Sequence, residues 1–285
     1  MRRRFKTEAD IARFVKQGFG QGEGASYMPW LRVQDVPSKG RSRKVVGTKS
    51  RRTHHFLSDL EYYYFLLLEF SDEVIDIREQ YPILATTRAR DIAADMGIQY
   101  PVYIGTQLPY VLTSDFVITL KPQEGKKRLA VRTCKYQAEL DDLNRGQRTA
   151  EKLDLERAIW ADQGVEDWKV VTEQLMSPIL KDNLEWLHKA LFFDQVELDV
   201  SLKQQFIRVA IDAADGVRTL ASIVRSASMV IGLPNRIGTV LLKRLVWEKS
   251  ILVDIVNCRL DPTLPCPLLS PANSQGVSTK LQRAA

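Results

Sequence analysis

Cysteine is scarce: the 285-residue chain has Cys134, Cys258 and Cys266, and no Cys-x-x-Cys pair. An odd, scattered set of thiols excludes a disulfide framework and a cysteine zinc site. Histidine is equally thin. Two of the three histidines, His54 and His55, are adjacent, and with His188 they do not make a metal-ligand set. No long apolar run occurs. The stretch Tyr62 to Leu68 is too short to span a bilayer. The first residues carry charge without an apolar segment behind them, so no secretory signal is expected. The glycine-rich run Gly18, Gly20, Gly22 and Gly24 lacks the Lys-Ser/Thr of a phosphate-binding loop, which argues against nucleotide binding there. A reducing, cytoplasmic setting without membrane partners fits these absences.

What is present is a globular balance, 45% hydrophobic and 27% charged, in a chain long enough for one large or two ordinary domains. The net charge is +6, and the excess is clustered. Lys39, Arg41, Arg43, Lys44, Lys49, Arg51 and Arg52 follow one another with no acidic residue among them, after Arg2, Arg3 and Arg4. Such a run is either a solvated loop or a phosphate-contacting surface that releases counterions from DNA. Lys39, Arg41, Arg43, Lys44, Arg51 and Arg52 are the candidate DNA contacts.

Apolar spacing predicts a helix over 7–17 and a second over 58–70, where Ser58 and Glu61 have capping-box spacing. Strands are expected over 74–78, 111–120 and 128–135, the last two joined by a hairpin turn. Helices over 85–97, 147–164 and 179–192 and a strand over 168–172 complete an α/β domain with a mixed sheet flanked by helices. Beyond residue 196 the pattern becomes helical. Helices over 219–231 and 236–248 flank the turn Gly232-Leu233-Pro234-Asn235, and a β-rich run follows over 251–256. Helix, turn, helix, strand is a winged-helix plan, with an ordinary helical domain as the alternative, and the second helix is basic through Lys243, Arg244 and Lys249. The expected organisation is an N-terminal helix and basic loop on the core (1–57), a catalytic core (58–195), a winged-helix-like partner domain (196–258) and a Pro-rich tail poorly ordered by itself (259–285).

Three charged residues sit in apolar surroundings: Glu61 in the second helix, Asp115 inside a strand, and Lys135 at the end of the next. Charges in such runs are costly unless paired or ligating. Adjacent antiparallel strands could join Asp115 and Lys135 as a salt bridge at the sheet end. They could equally hold a magnesium ion beside a scissile phosphate, which needs carboxylate oxygens and a cation. Spacing alone leaves the salt bridge ahead.

Ser58-Asp59-Leu60-Glu61, then Asp76-Ile77-Arg78-Glu79-Gln80-Tyr81-Pro82, then Thr113-Ser114-Asp115-Phe116, then the lysine-ended strand, resemble the TnsA family in order. So do Tyr27-Met28-Pro29-Trp30-Leu31, His54-His55 and the run Arg148 to Arg157, over roughly residues 10 to 190. TnsA is the endonuclease subunit of a heteromeric transposase that works with TnsB and TnsC. The resemblance implies a restriction-endonuclease-like core that cuts the 5′ strand at double-stranded transposon ends with Mg²⁺, Mn²⁺ substituting. Its expected partners are a TnsB-like transposase and a TnsC-like ATPase, and its place of action is the nucleoid. Glu61 and Asp115 fall on the family's catalytic carboxylates and Lys135 on its lysine. Glu156 falls on an acidic residue near the site, whereas Glu69 and Glu79 are expected to be structural or solvent-facing. The family places glutamine-valine before the lysine, and the glutamine position helps hold metal. Here Thr133-Cys134 stand there, so Thr133 is the expected ligand position, through a backbone carbonyl if not its side chain. That departure keeps a non-catalytic DNA-binding adaptor open as an alternative. A stand-alone restriction or repair nuclease of the same fold is the other.

Overall fold

The computed structural model describes residues 5–36, 40–144, 146–193 and 198–272. Arg2, Arg3, Arg4, Lys39 and the end of the expected tail lie outside them. The elements are α1 (Glu8–Lys16), β1 (Arg43–Val46), β2 (Thr53–Phe56), α2 (Asp59–Phe70), β3 (Val74–Pro82), α3 (Thr86–Asp95), β4 (Thr113–Gln123), β5 (Lys126–Cys134), α4 (Gln137–Leu140), α5 (Gly146–Asp162), β6 (Trp168–Val171), α6 (Pro178–His188), α7 (Val200–Ala213), α8 (Leu220–Val230), α9 (Asn235–Trp247), β7 (Ile251–Leu252) and β8 (Ser270–Pro271). They form two compact units, 1–175 and 176–285.

In the first unit the sheet order is β3-β4-β5-β6. The first two pairings are antiparallel and the β5–β6 pairing is parallel. A parallel neighbour needs a crossover, and α5 provides it. This is the expected α/β architecture, a mixed sheet flanked by helices. The turn between β4 and β5 is Glu124-Gly125, with φ of +52° and +74°. Left-handed backbone at both central residues matches the twist of antiparallel strands, which is why a Gly stands second.

Helix α2 starts where Ser58 accepts the Glu61 amide and is buried along nearly all its length. A helix apolar all round needs cover on every side. One side meets the sheet through Tyr64 and Phe116, with ring centroids 5.6 Å apart. Another meets the β1–β2 hairpin, where Phe56 lies 4.7 Å from Phe65. On the opposite sheet face Val117, Val131, Trp160 and Val165 form a second core with α5. Helix α1 packs with Phe19, Trp30 and Val111 through Ile11, Phe14 and Val15. The glycine loop after it passes so close to the end of β3 that a Cβ on Gly20 would lie 2.2 Å from Pro82 Cγ.

The second unit begins ahead of the 195/196 boundary expected from the sequence, because α6 is tied to the C-terminal segments. The Asn183 amide donates to the Ile255 carbonyl (2.9 Å) and the Cys258 carbonyl (2.7 Å), and its oxygen accepts the Leu260 amide (2.8 Å). Helices α8 and α9 flank the expected turn, but the strand after them is only two residues long and pairs with β8. The expected basic second helix is not a free basic face. Arg244 is buried and donates to the Ala190, Leu191 and Phe193 carbonyls. Lys243 lies 3.9 Å from the Trp186 ring centroid. The expected loose tail is also corrected over 259–272. Leu260, Cys266 and Leu269 are buried, and the backbone of 262–266 pairs with Arg218, Leu220 and Ala221.

At the α8–α9 crossing a Cβ on Gly238 would fall 1.8 Å from the buried Ser228 hydroxyl oxygen. Gly238→Ala therefore overpacks this crossing and should cost about 1–3 kcal/mol. Urea unfolding of the variant against the parent protein measures it.

Candidate active site

Glu61 is fixed by the start of its own helix. Ser58 Oγ accepts the Glu61 amide (3.2 Å) and donates to Glu61 Oε1 (2.9 Å), while the Leu57 amide donates to Oε2 (3.0 Å). This reciprocal cap uses first-turn donors that a helix leaves unpaired and holds the carboxylate at one end of α2.

Asp115 comes from β4, and its Oδ2 accepts the Cys134 amide at 2.7 Å. Lys135 follows directly. Its amide donates to the Val171 carbonyl (3.0 Å), continuing the parallel pairing, and its ammonium donates to the Cys134 carbonyl (3.1 Å). The side chain of Gln80 joins the carboxylates. Its Nε2 donates to Glu61 Oε2 at 3.2 Å and to Asp115 Oδ1 at 3.4 Å. Glu61, Asp115 and Lys135 are thus brought to one place, with Gln80 between the acids.

The electrostatics follow from burial and neighbours. Burial and then the Asp115 charge push the Glu61 carboxyl up to about 8. Lys135 is raised by the Asp115 charge, against its burial. Two acids this close favour a proton or a cation between them. Among the described residues no three His, Cys, Asp or Glu side chains converge in a metal-holding group. The pair offers hard oxygens of the kind magnesium prefers, and magnesium keeps several waters, so few protein ligands are needed.

Thr133 does not join this group through its side chain. Its hydroxyl donates to Glu156 Oε1 (2.7 Å), which also accepts from Ser114 Oγ (2.5 Å), which in turn accepts the Trp160 indole N–H (2.8 Å). Burial lifts the Glu156 carboxyl to about 7, although the Ser114 and Thr133 bonds oppose the rise. Glu156 therefore lies behind the site and steadies the strand end that carries Cys134 and Lys135.

Sequence reasoning missed Gln80. Its backbone has φ of +48°, a left-handed conformation uncommon for a non-glycine residue. Its carbonyl accepts the Trp30 amide at 3.2 Å, which helps hold the kink. The kink breaks strand alternation, so Glu79 and Gln80 point consecutively towards α2 while Arg78 and Tyr81 lie towards Trp160. The signal was available as Glu79-Gln80-Tyr81-Pro82, though spacing gave no reason to single out its glutamine.

Glu79 and Glu69 are structural. Glu79 is fully buried, takes a bidentate pair from Arg52 (2.5 and 2.8 Å), bonds His54 (2.7 Å) and accepts the His55 amide (3.1 Å). Burial opposes its charge, but His54 and Arg52 hold its carboxyl below the usual range. Glu69 accepts from the Thr48 amide and hydroxyl.

The basic run divides in two. Arg52 is committed to Glu79, Lys49 donates to the Ser71 and Val74 carbonyls, and Arg43 pairs with Asp59 (2.9 Å) with its guanidinium 4.1 Å above the Tyr62 ring. Arg41, Lys44 and Arg51 are exposed. Lys39 lies outside the described residues. No helix among these residues is long and apolar enough to cross a membrane.

Comparison with known proteins bears on the family. The family described as TnsA-like endonuclease N terminal matches residues 71–173, and the family described as TnsA endonuclease C terminal matches residues 177–255. The first match contains Gln80, Asp115, Lys135 and Glu156 but begins after Glu61, whose place in the site rests on its contacts. The chain is similar to "Transposon Tn7 transposition protein TnsA" of Escherichia coli, 43% identical over 182 residues, 64% of this chain and 63% of that protein. The matched stretch is thus under two thirds of the relative's length. With both halves of the family pattern present in order, the chain belongs to the TnsA endonuclease family.

Proposed function

We propose that the chain is the Mg²⁺-dependent DNA endonuclease subunit of a heteromeric transposase and cuts the 5′ strand at double-stranded transposon ends. The observation that carries this reading is the Glu61–Asp115 pair, bridged by Gln80 and flanked by Lys135, in a chain of this family. Glu61 and Asp115 would hold the ion, and a donor at the Thr133 position would have to be backbone, since its hydroxyl serves Glu156. Bound there, magnesium would polarise the scissile phosphate and make its bound water more acidic. Lys135 places a positive charge where negative charge develops on the phosphoryl oxygens and orients the attacking water. Ser58 and the Leu57 amide keep the Glu61 carboxylate aimed, and the Cys134 amide does the same for Asp115. The retained lysine and both carboxylates favour an enzyme over a non-catalytic adaptor.

By family resemblance, the partners are a TnsB-like transposase that handles the 3′ strands and a TnsC-like ATPase, and the site of action is the cytoplasm, on the nucleoid. A strand-specific assay on an end-labelled transposon end, with the partner transposase present, tests the assignment. New 5′-strand ends that require this chain support it. Cutting of only the 3′ strand, or equal cutting without the chain, would overturn it.

The exposed Arg41, Lys44 and Arg51 are the proposed phosphate contacts. Replacing all three with Ala should weaken DNA binding and reduce the slope of log K against log salt by up to about 0.9 per lost contact. An unchanged slope returns them to solvated surface. Arg43→Ala and Arg52→Ala should instead lower stability, because they break folded-state pairs.

A further inference from the structure

We infer that Gln80 is itself an oxygen ligand of the metal this site binds, supplying the side-chain donor that Thr133 does not. The inference rests on the metal-dependent reading above and deepens it. Three observations meet at this residue. Its amide nitrogen stands between the two carboxylates, 3.2 Å from Glu61 Oε2 and 3.4 Å from Asp115 Oδ1, where a cation would be drawn. Its side chain is buried and its backbone is held in a left-handed kink with φ of +48°, pinned by the Trp30 amide on its carbonyl. Such strain persists where the surroundings over-determine it, and it clusters at functional sites. Thirdly, the Thr133 hydroxyl is turned to Glu156, so the strand that ends in Lys135 offers no side-chain oxygen from that position.

A primary amide presents a donor and an acceptor on one planar group. Without metal, the N–H₂ face offsets the repulsion of two neighbouring carboxylates. With a divalent cation between them, that face would meet positive charge and lose both acceptors. Rotation of the terminal amide exchanges its nitrogen for its oxygen at the same place, without moving the backbone. Gln80 then becomes a third oxygen donor beside Glu61 and Asp115, and the waters complete the shell, as magnesium favours. The same amide thus fills the site in one state and ligates in the other.

Mn²⁺ binding to the full chain without DNA, read from the electron paramagnetic resonance of the free ion, tests this independently of cleavage. Gln80→Asn keeps a residue that tolerates the left-handed backbone but shortens its reach. Gln80→Met keeps the length and removes the oxygen. Both should bind Mn²⁺ about tenfold or more weakly, the scale of losing a metal-site partner. Circular dichroism identifies which variants are folded, and either folded one decides. Affinity equal to or tighter than the parent's would overturn the inference, because an amide that only bridges the acids competes with the ion. Asp115→Asn separates the two levels. If it abolishes Mn²⁺ binding while the Gln80 variants bind normally, the ligand role falls and the metal site stands. If it binds like the parent, both fall.

Discussion

Asp115→Ala should lower DNA cleavage at least about a thousandfold, roughly 4 kcal/mol of barrier, while leaving the fold intact. The chemical loss is large because Asp115 is one of the two carboxylates that Gln80 bridges and the largest influence on the Lys135 ammonium. Removing it takes away an oxygen donor and frees the lysine from its counter-charge. The structural loss is small by comparison. Asp115 is only partly buried, and the groups it satisfies are the Cys134 amide at 2.7 Å and, at 3.4 Å, the Gln80 side-chain amide. Single-turnover cleavage with the partner transposase present, paired with circular dichroism, reads both effects. A folded variant that cuts within tenfold of the parent would mean that Asp115 is not at the reacting centre.

Glu79→Leu should do the reverse, destabilising the first unit by about 3–5 kcal/mol. The Glu79 side chain is fully buried, and Arg52 and His54 beside it are 7% and 0% exposed. Its removal strands a guanidinium and an imidazole away from water, together with the His55 amide. Arg52→Leu added to Glu79→Leu should recover part of the loss, since removing a buried pair together is far less costly than removing one partner. Urea unfolding of the two variants measures this. A loss under about 1 kcal/mol for Glu79→Leu would show that water reaches the cluster and that the pairs are weak.

These two residues also mark what could be read from the sequence. Local rules carried α2 with its Ser58 cap, the β4–β5 hairpin and the α8–turn–α9 segment, because capping, turn chemistry and periodicity act over a few residues. The site required more. From spacing, Asp115 and Lys135 read as a salt bridge as readily as a metal site, and only the ordered resemblance of the flanking segments raised the second reading. Gln80 stayed hidden because its role depends on a left-handed kink that no propensity of glutamine predicts.

Charge was the least legible property. The run from residue 39 to 52 looks uniformly basic, yet Arg43, Lys49 and Arg52 are spent on Asp59, the Ser71 and Val74 carbonyls, and Glu79. Those partners lie on other elements, so nothing nearby in the sequence announces them. The same holds for Arg244, a basic helix residue that closes the carbonyls of the turn after α6. It holds too for residues 259–272, whose prolines suggested a loose tail and whose Leu260, Cys266 and Leu269 pack into the second unit.

Glu61, Asp115 and Lys135 are proposed to make a metal-dependent phosphodiester-cutting site. Its most direct test is cleavage of a 5′-strand-labelled transposon end by the chain and its transposase partner, treated with EDTA and then returned to Mg²⁺ or Mn²⁺. No 5′-strand cutting is expected in EDTA, and full recovery is expected with either metal. Undiminished 5′-strand cutting in EDTA would contradict the proposal.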